Sequence, residues 1–201
     1  KMKKPMIIST GVASIEDIEL AIQTCHRVGN TDITLLKCTS EYPAKISDAN
    51  LLTIPDMKKK FKVKVGVSDH TMGSLVPVVA VALGATVVEK HYILDRKLGG
   101  TDAAFSMVPF EFKKMIENIR DTEASLGKIN YDVTEKNKLR RRSLFIIKDI
   151  KKGEKLTEKN VRSIRPGYGL YPKYYQNILN KKIKHDVKKG TPLSLDLILD
   201  E

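Results

Sequence analysis

The sequence lacks several features that mark whole classes of protein. It has no tryptophan, 6% aromatic residues and only two cysteines in 201 positions. Every apolar run is shorter than the roughly 18–20 residues that a membrane-spanning helix needs, so we expect no membrane partner. No Walker or GxGxxG motif is present to cradle a nucleotide. Cys25 and Cys38 form no CxxC pair or disulfide framework, which indicates a cytoplasmic protein in a reducing compartment.

What the sequence does contain is an ordinary globular composition with an uneven excess of positive charge. Hydrophobic residues make up 41% of it and charged residues 30%, as in typical folded domains. Of the net charge of +12, residues 128–201 carry +10, from 19 Lys and Arg against 9 Asp and Glu. Such a segment can attract nucleic acid or a small anion, or it can simply hydrate the surface. Because few aromatic residues interleave with the basic ones, we expect no nucleic-acid partner.

Apolar strands alternate with helices through the first 127 residues. The predicted strands are PMIIST, ITLLKCTS, KVKVGVSDH and ATVVEKHYIL, apolar throughout, as parallel strands buried on both faces are. The predicted helices are one opened by a Ser14–Asp17 capping box, one over residues 48–61, SLVPVVAVALGA, and PFEFKKMIENIRDTEASLG ending at Gly127. Such alternation implies parallel pairing through right-handed crossovers. The pattern predicts half of a (β/α)8 barrel or a small open α/β sheet.

The character of the chain changes after residue 127. Residues 128–142, KINYDVTEKNKLRRR, are polar and have no apolar period, which is typical of a linker. Residues 143–201 combine short apolar runs with two KKG turns and an RPGYG turn, which predicts a compact β-rich module. The segments KKGEKLT and KKGTPLS also resemble each other and hint at an internal repeat.

Two histidines follow neighbouring predicted strands. His70 and His91 are 21 residues apart, the length of one βα unit. Because the carboxyl ends of parallel strands meet at one rim, their side chains can converge there. Two neutral imidazoles can hold a divalent cation and leave positions open for water and substrate. Alternatively, each is a structural histidine with ordinary hydrogen bonds.

Carboxylates and hydroxyls accompany these histidines at the predicted strand ends. Asp69 and Glu89 can orient the imidazoles or act as a general base, or they can form structural pairs. Asp102 follows a Gly-Gly loop beside the same rim. Small hydroxyls recur at successive strand ends and can line an oxyanion or phosphate pocket: Ser9, Thr10, Thr39, Ser40 and Ser68.

Eight segments, in order, carry a resemblance to the sialic acid synthase family. The catalytic barrel of that family is matched by ISTGVASIEDI, LLKCTSEYPA, GVSDHTMG, ALGATVVEKHYILDR and GGTDAAFSMVPFEF. The tail, from LFIIKDIKKGEKLT through RPGYGL to KKGTPLSLDLI, resembles its antifreeze-like (SAF) domain. The resemblance implies the C-terminal half of a TIM (β/α)8 barrel over residues 1–127, a linker over 128–142 and a SAF domain over 143–201. DAAFS resembles the pseudaminic acid synthases of the family, whereas N-acetylneuraminate and legionaminate synthases more often have DHKAS.

The resemblance also implies roles for individual residues. His70 and His91 match the family's ligands for Mn²⁺ or Mg²⁺, and these histidines with Asp102 would form the catalytic group. The residues that match phosphoenolpyruvate-binding positions are Ser9, Ser68 and Ser40, the last where many relatives carry Asn. Those that match sugar contacts are Tyr42 and Asp102, and Asp102 would also help deliver the attacking water. Arg165 matches an arginine that the SAF domain of one protomer places over the active site of its neighbour, which implies a domain-swapped homodimer. Thr101 replaces a common proline.

The implied reaction joins phosphoenolpyruvate to an N-acetylated amino sugar of the 2,4-diacetamido-2,4,6-trideoxy-altrose type. C3 of phosphoenolpyruvate would attack the sugar aldehyde, water would add to C2, and phosphate would leave, giving a nonulosonic acid such as pseudaminic acid. Alternatives are an N-acetylneuraminate or legionaminate synthase, or a non-catalytic carbohydrate- or nucleic-acid-binding module. The family's first four strands would precede Lys1, with a catalytic glutamate and phosphate-binding lysines. We therefore expect a fragment that is inactive alone, rather than a split or degenerate protein.

Overall fold

The computed structural model describes residues 4–199, and the chain divides into two compact units, Lys1–Lys128 and Ile129–Glu201. The strands of the first unit are β1 (Met6–Ser9), β2 (Ile33–Cys38), β3 (Lys64–Asp69) and β4 (Val87–Lys90). Its helices are α1 (Ile15–Arg27), α2 (Thr53–Phe61), α3 (Leu75–Ala82) and α4 (Pro109–Leu126). No helix in the described residues is long and apolar enough to cross a membrane.

The four strands form one parallel sheet in sequence order, β1-β2-β3-β4. The predicted α/β class with parallel pairing is confirmed. Side chains on one face of the central strands, including Ile33, Leu35, Val65 and Val67, enter a core that also contains residues of α1, α2 and α3. On β3, Gly66 is required by close packing, since a Cβ atom there would lie 2.4 Å from the carbonyl oxygen of Val87 on β4.

Two predicted helix starts have different outcomes. The Ser14–Asp17 capping box of α1 is confirmed: the Asp17 amide donates to Ser14 Oγ at 3.2 Å and the Ser14 amide to Asp17 Oδ2 at 2.9 Å. The predicted start of α2 at residue 48 is wrong, because the helix begins at Thr53. Asn50 has a φ of +45°, and this left-handed backbone is incompatible with a continuous α-helix.

The second unit is built around a short antiparallel pair. Its strands are β5 (Ser143–Ile146) and β6 (Val161–Ile164), and isolated bridges connect Phe145 of β5 with Pro192 and other segments of the unit with each other. Helix α5 (Glu135–Leu139) lies in the stretch predicted as a linker and is capped by Thr134, while α6 (Tyr175–Ile178) completes the unit. An apolar core that includes Leu144, Ile146, Leu156 and Leu193 fills the interior.

The KKG near-repeat has a structural counterpart in reciprocal bonds. The aspartate before each KKG segment accepts hydrogen bonds from the other: Asp186 from the Lys152 amide at 2.9 Å, and Asp149 from the Lys189 amide at 2.8 Å. Each aspartate also forms a 2.8 Å ion pair with a lysine of the opposite segment, and this lowers the pKa of both carboxyl groups. The two segments therefore brace each other symmetrically.

Candidate active site

Two histidines lie side by side at the carboxyl end of the sheet. His70 follows β3 directly and His91 follows β4, and the pairing of Asp69 with Lys90 puts the two strand ends in register. Their ring centroids are 5.1 Å apart with an interplanar angle of 82°. The convergence predicted from their spacing is therefore present in the fold.

The Nδ1 atom of each histidine faces an oxygen. His70 Nδ1 lies 2.8 Å from the carbonyl oxygen of Thr39, which can only accept, so the hydrogen bond assigns the proton to Nδ1. His91 Nδ1 lies 3.5 Å from Asp102 Oδ2. The first contact orients the His70 ring and leaves its Nε2 as a candidate ligand atom, as in metal sites whose outer oxygens fix the histidine tautomer. The second places a carboxylate beside Nδ1 of His91, so Nε2 is the candidate ligand atom of that ring as well.

The carboxylates that precede the histidines in sequence do not orient the rings. Asp69 forms a 2.6 Å ion pair with Lys90, and the two side chains are only 2% and 1% exposed. The same aspartate accepts from the amide and hydroxyl of Thr71, and Lys90 also donates to the Thr71 carbonyl. Asp69 is therefore a structural residue that ties the ends of β3 and β4 beneath the histidines.

Aromatic rings surround the histidine pair. Tyr42, 55% exposed, has its ring centroid 4.2 Å from that of His70 and 5.8 Å from that of His91. Phe105, only 3% exposed, lies 5.0 Å from His91 and 6.0 Å from Tyr42. Sequence reasoning missed Phe105, although a large ring in the otherwise small segment DAAFS was an available signal.

The predicted hydroxyls have different environments. Ser68 donates to Glu89 Oε1 at 2.6 Å, across the β3–β4 register. Ser9 is exposed at the end of β1. Ser40 lies against the β1–α1 loop, since its Oγ would be 2.1 Å from a Cβ atom on Gly11. The hydroxyls of Thr10 and Thr39 instead donate to backbone carbonyls, of Leu36 and Asp48.

The donor set at this rim fits a cation that takes few protein ligands. Within residues 4–199 there is no group of three or more His, Cys, Asp or Glu side chains that could hold a metal ion. The imidazoles of His70 and His91 each provide one candidate ligand atom, and Asp102 adds negative charge beside His91. A divalent cation there would complete its coordination with water or substrate oxygens.

Arg165 lies in the second unit, exposed and immediately after β6. It precedes Pro166, to which it is joined by a cis peptide bond. The Pro166 carbonyl accepts a hydrogen bond from Ser143 Oγ at 2.7 Å, which anchors the turn. The role of Arg165 at a neighbouring active site stays a prediction.

Comparison with known proteins places the chain in a family. The family model described as NeuB matches residues 1–131, and that of the SAF domain matches residues 141–199. The chain is 49% identical over 200 residues to pseudaminic acid synthase of Helicobacter pylori, covering 98% of this chain and 59% of that protein. The corresponding Campylobacter jejuni protein is 47% identical over 196 residues, with 96% and 57% covered.

The chain is also similar to a protein of known structure. The spore coat polysaccharide biosynthesis protein SpsE of Bacillus subtilis matches with a TM-score of 0.62 and 33% identity, over 100% of this chain and 62% of that one. The chain thus spans less than two thirds of the length of these relatives. The matches to both family models and to these full-length relatives show that the chain belongs to the NeuB family.

Proposed function

We propose that the chain comprises half of a (β/α)8 barrel over residues 1–127, a linker over 128–142 and a SAF domain over 143–201. The parallel strands in sequence order, each followed by a helix, support the half barrel, since barrel strands pair with their neighbours in the same way. The match of the SAF family model to residues 141–199 supports the second domain.

The proposed activity is the condensation of phosphoenolpyruvate with an N-acetylated amino sugar to form a nonulosonic acid, with release of phosphate. The observation that supports it most directly is the cluster at the rim of the sheet. There the ring centroids of His70 and His91 lie 5.1 Å apart, with Tyr42 beside His70 and Asp102 beside His91. The names of the two bacterial relatives, both pseudaminic acid synthases, favour pseudaminic acid as the product. The proposed acceptor is accordingly of the 2,4-diacetamido-2,4,6-trideoxy-altrose type.

In this proposal His70 and His91 hold Mn²⁺ or Mg²⁺ through Nε2. Such a cation, when bound, polarises an aldehyde oxygen and makes its carbon more electrophilic. Asp102 keeps the His91 ring oriented, and its 44% exposed carboxylate can also reach a sugar hydroxyl or a water molecule. Tyr42 offers an exposed ring and a hydroxyl to the sugar.

Ser9, Ser40 and Ser68 are proposed to bind phosphoenolpyruvate through their hydroxyls. For Ser68 this requires a change of partner, because its hydroxyl donates to Glu89 in the structure. The new carbon–carbon bond joins C3 of phosphoenolpyruvate to the aldehyde carbon. Water adds to C2, and the bond from C2 to the phosphate-bearing oxygen breaks to release phosphate.

Arg165 is proposed to act in a domain-swapped homodimer, where the SAF domain of one protomer contributes it to the neighbouring site. An exposed guanidinium suits this role, since arginine offers several donors in a fixed planar geometry. Removal of the whole SAF domain, or R165A, would then weaken sugar binding without removing the metal site.

The test is an assay of the complete gene product with phosphoenolpyruvate, Mn²⁺ and three acceptors: the altrose-type sugar, N-acetylmannosamine and the diacetylated legionaminate precursor. We expect phosphate release and a nonulosonic acid mass chiefly with the first. A preference for either other sugar would assign the alternative neuraminate or legionaminate activity. Absence of turnover by the complete gene product with all three sugars would refute the proposed function.

A further inference from the structure

Arg96 brackets the segment that carries Asp102 and Phe105. It begins the short 3-10 turn Arg96–Leu98 after β4. Its Nη2 lies 2.5 Å from Glu111 Oε2 in the first turn of α4, and its Nε donates to the carbonyl of Ser106 at 3.2 Å. One side chain thus holds both the helix and the end of the preceding loop.

Glu111, the partner of Arg96, is itself held in place by a hydrogen bond. Glu111 Oε2 accepts a hydrogen bond from the Val108 amide at 3.1 Å, which closes the first turn of α4. The hydrogen bond from Arg96 is the largest cause that lowers the pKa of the Glu111 carboxyl group. Glu111 is therefore ionised at neutral pH, and the ion pair is present where the enzyme would work.

From Ser106 the contacts lead directly to the histidine site. The amide and hydroxyl of Ser106 both donate to the carbonyl of Asp102, at 3.1 and 2.7 Å. The Met107 amide donates to the carbonyl of His91 at 2.9 Å. Holding the Ser106 backbone in place therefore holds Asp102, whose carboxylate lies 3.5 Å from His91 Nδ1.

The loop begins with two glycines whose backbone conformations are not held by side chains. Gly99 and Gly100 have φ angles of +72° and +114°, a region that glycine enters freely and from which it also departs freely. The side chain of Asp102 is 44% exposed, whereas Phe105 and Ser106, which follow it, are buried. The hydrogen bonds that begin at Arg96 therefore reach the backbone of Asp102 through the buried Ser106.

We propose that the Arg96–Glu111 pair is a positioning device that sets Asp102 and Phe105 against His91 for the condensation. This inference rests on the proposed function and deepens it. Neither Arg96 nor Glu111 touches the histidine rings; they act through Ser106. Since the serines proposed for phosphoenolpyruvate lie on or beside β1, β2 and β3, loss of the pair should lower kcat and leave the KM for phosphoenolpyruvate unchanged.

The test compares R96Q and E111Q with R120Q in the complete gene product. R120Q is a matched control, because Arg120 pairs with Glu123 at 2.7 Å on the same helix but is exposed. We expect kcat of R96Q and E111Q to fall about 10- to 100-fold, as small displacements of positioned groups do, and that of R120Q to stay at the wild-type value. In a D102N background, R96Q should add little further loss, because the two residues act in one chain of contacts.

A second readout does not depend on turnover. Hydrogen exchange of the Ser106 and Met107 amides should be faster in R96Q than in wild type and unchanged in R120Q. Wild-type kcat in R96Q, full additivity of R96Q with D102N, or unchanged exchange at both amides would each overturn the inference. These outcomes are distinct from failure of the proposed function, in which the wild-type gene product itself shows no condensation.

Discussion

The buried Asp69–Lys90 pair gives a quantitative prediction for K90M, which keeps the apolar length of the side chain and removes its charge. Lys90 and Asp69 are 1% and 2% exposed, with their charged atoms 2.6 Å apart. Without Lys90, the Asp69 carboxylate keeps its bonds from Thr71 but has lost its counter-ion. Stranding a buried charge in this way typically costs about 3–5 kcal/mol.

Equilibrium urea denaturation of the complete gene product, followed by far-ultraviolet circular dichroism, measures this loss. The matched control is K64M, because Lys64 at the start of β3 forms a 2.9 Å pair with Asp32, directly before β2, but both side chains are about half exposed. We expect K64M to cost less than about 1 kcal/mol.

The double variant D69N/K90M separates the pair from other effects of substitution. It should be more stable than the sum of the single variants predicts, because no unpaired charge remains. If K90M is as mild as K64M with an unchanged denaturant slope, then the ion pair does not tie the strand ends and the reasoning is refuted.

The remaining predictions concern packing, pH and symmetry. G66A should destabilise the first unit by about 1–3 kcal/mol in denaturation, because its new methyl group would overlap the backbone of β4. The hydrogen bond from the Ser14 amide lowers the pKa of the Asp17 carboxyl group. The ionised carboxylate therefore stabilises the folded protein fully above the ordinary pKa of aspartate, and this stabilisation is lost as the pH falls through the lowered pKa. The free energy of unfolding should therefore fall less for D17N than for wild type between about pH 5 and pH 2, as measured by denaturation. D149A and D186A should shift thermal unfolding of the second unit by similar amounts, since their bonds are reciprocal; a large inequality would contradict the symmetry.

Much of the fold and part of the site could be predicted because they depend on local patterns. The alternation of apolar strands and helices predicts the parallel sheet, and a 21-residue spacing predicts that His70 and His91 meet. The capping box at Ser14 depends on only four consecutive residues. Each of these inferences needs only short-range sequence and the general geometry of βα units.

The features that escaped prediction depend on which groups meet across the fold. The oxygen that orients His70 belongs to the backbone carbonyl of Thr39. A motif made of side-chain types cannot predict such a partner. Structural pairing of Asp69 was one of the alternatives that the sequence left open, but its partner Lys90 follows only from the register of β3 and β4. Phe105 lies in the loop that follows Gly99 and Gly100, and the Arg96–Glu111 pair spans this loop. The course of such a loop depends on the backbone torsions of its glycines, which a periodic pattern of apolar residues does not predict.

His70 and His91 together are proposed to hold the metal on which condensation depends. The most direct measurement is Mn²⁺-dependent phosphate release from phosphoenolpyruvate and the altrose-type sugar by the complete gene product, for wild type, H70A, H91A and H26A. His26, in the last turn of α1, belongs to no part of the proposed site. We predict that H70A and H91A abolish metal-dependent turnover and that H26A retains it. Undiminished turnover in H70A or H91A would contradict the claim.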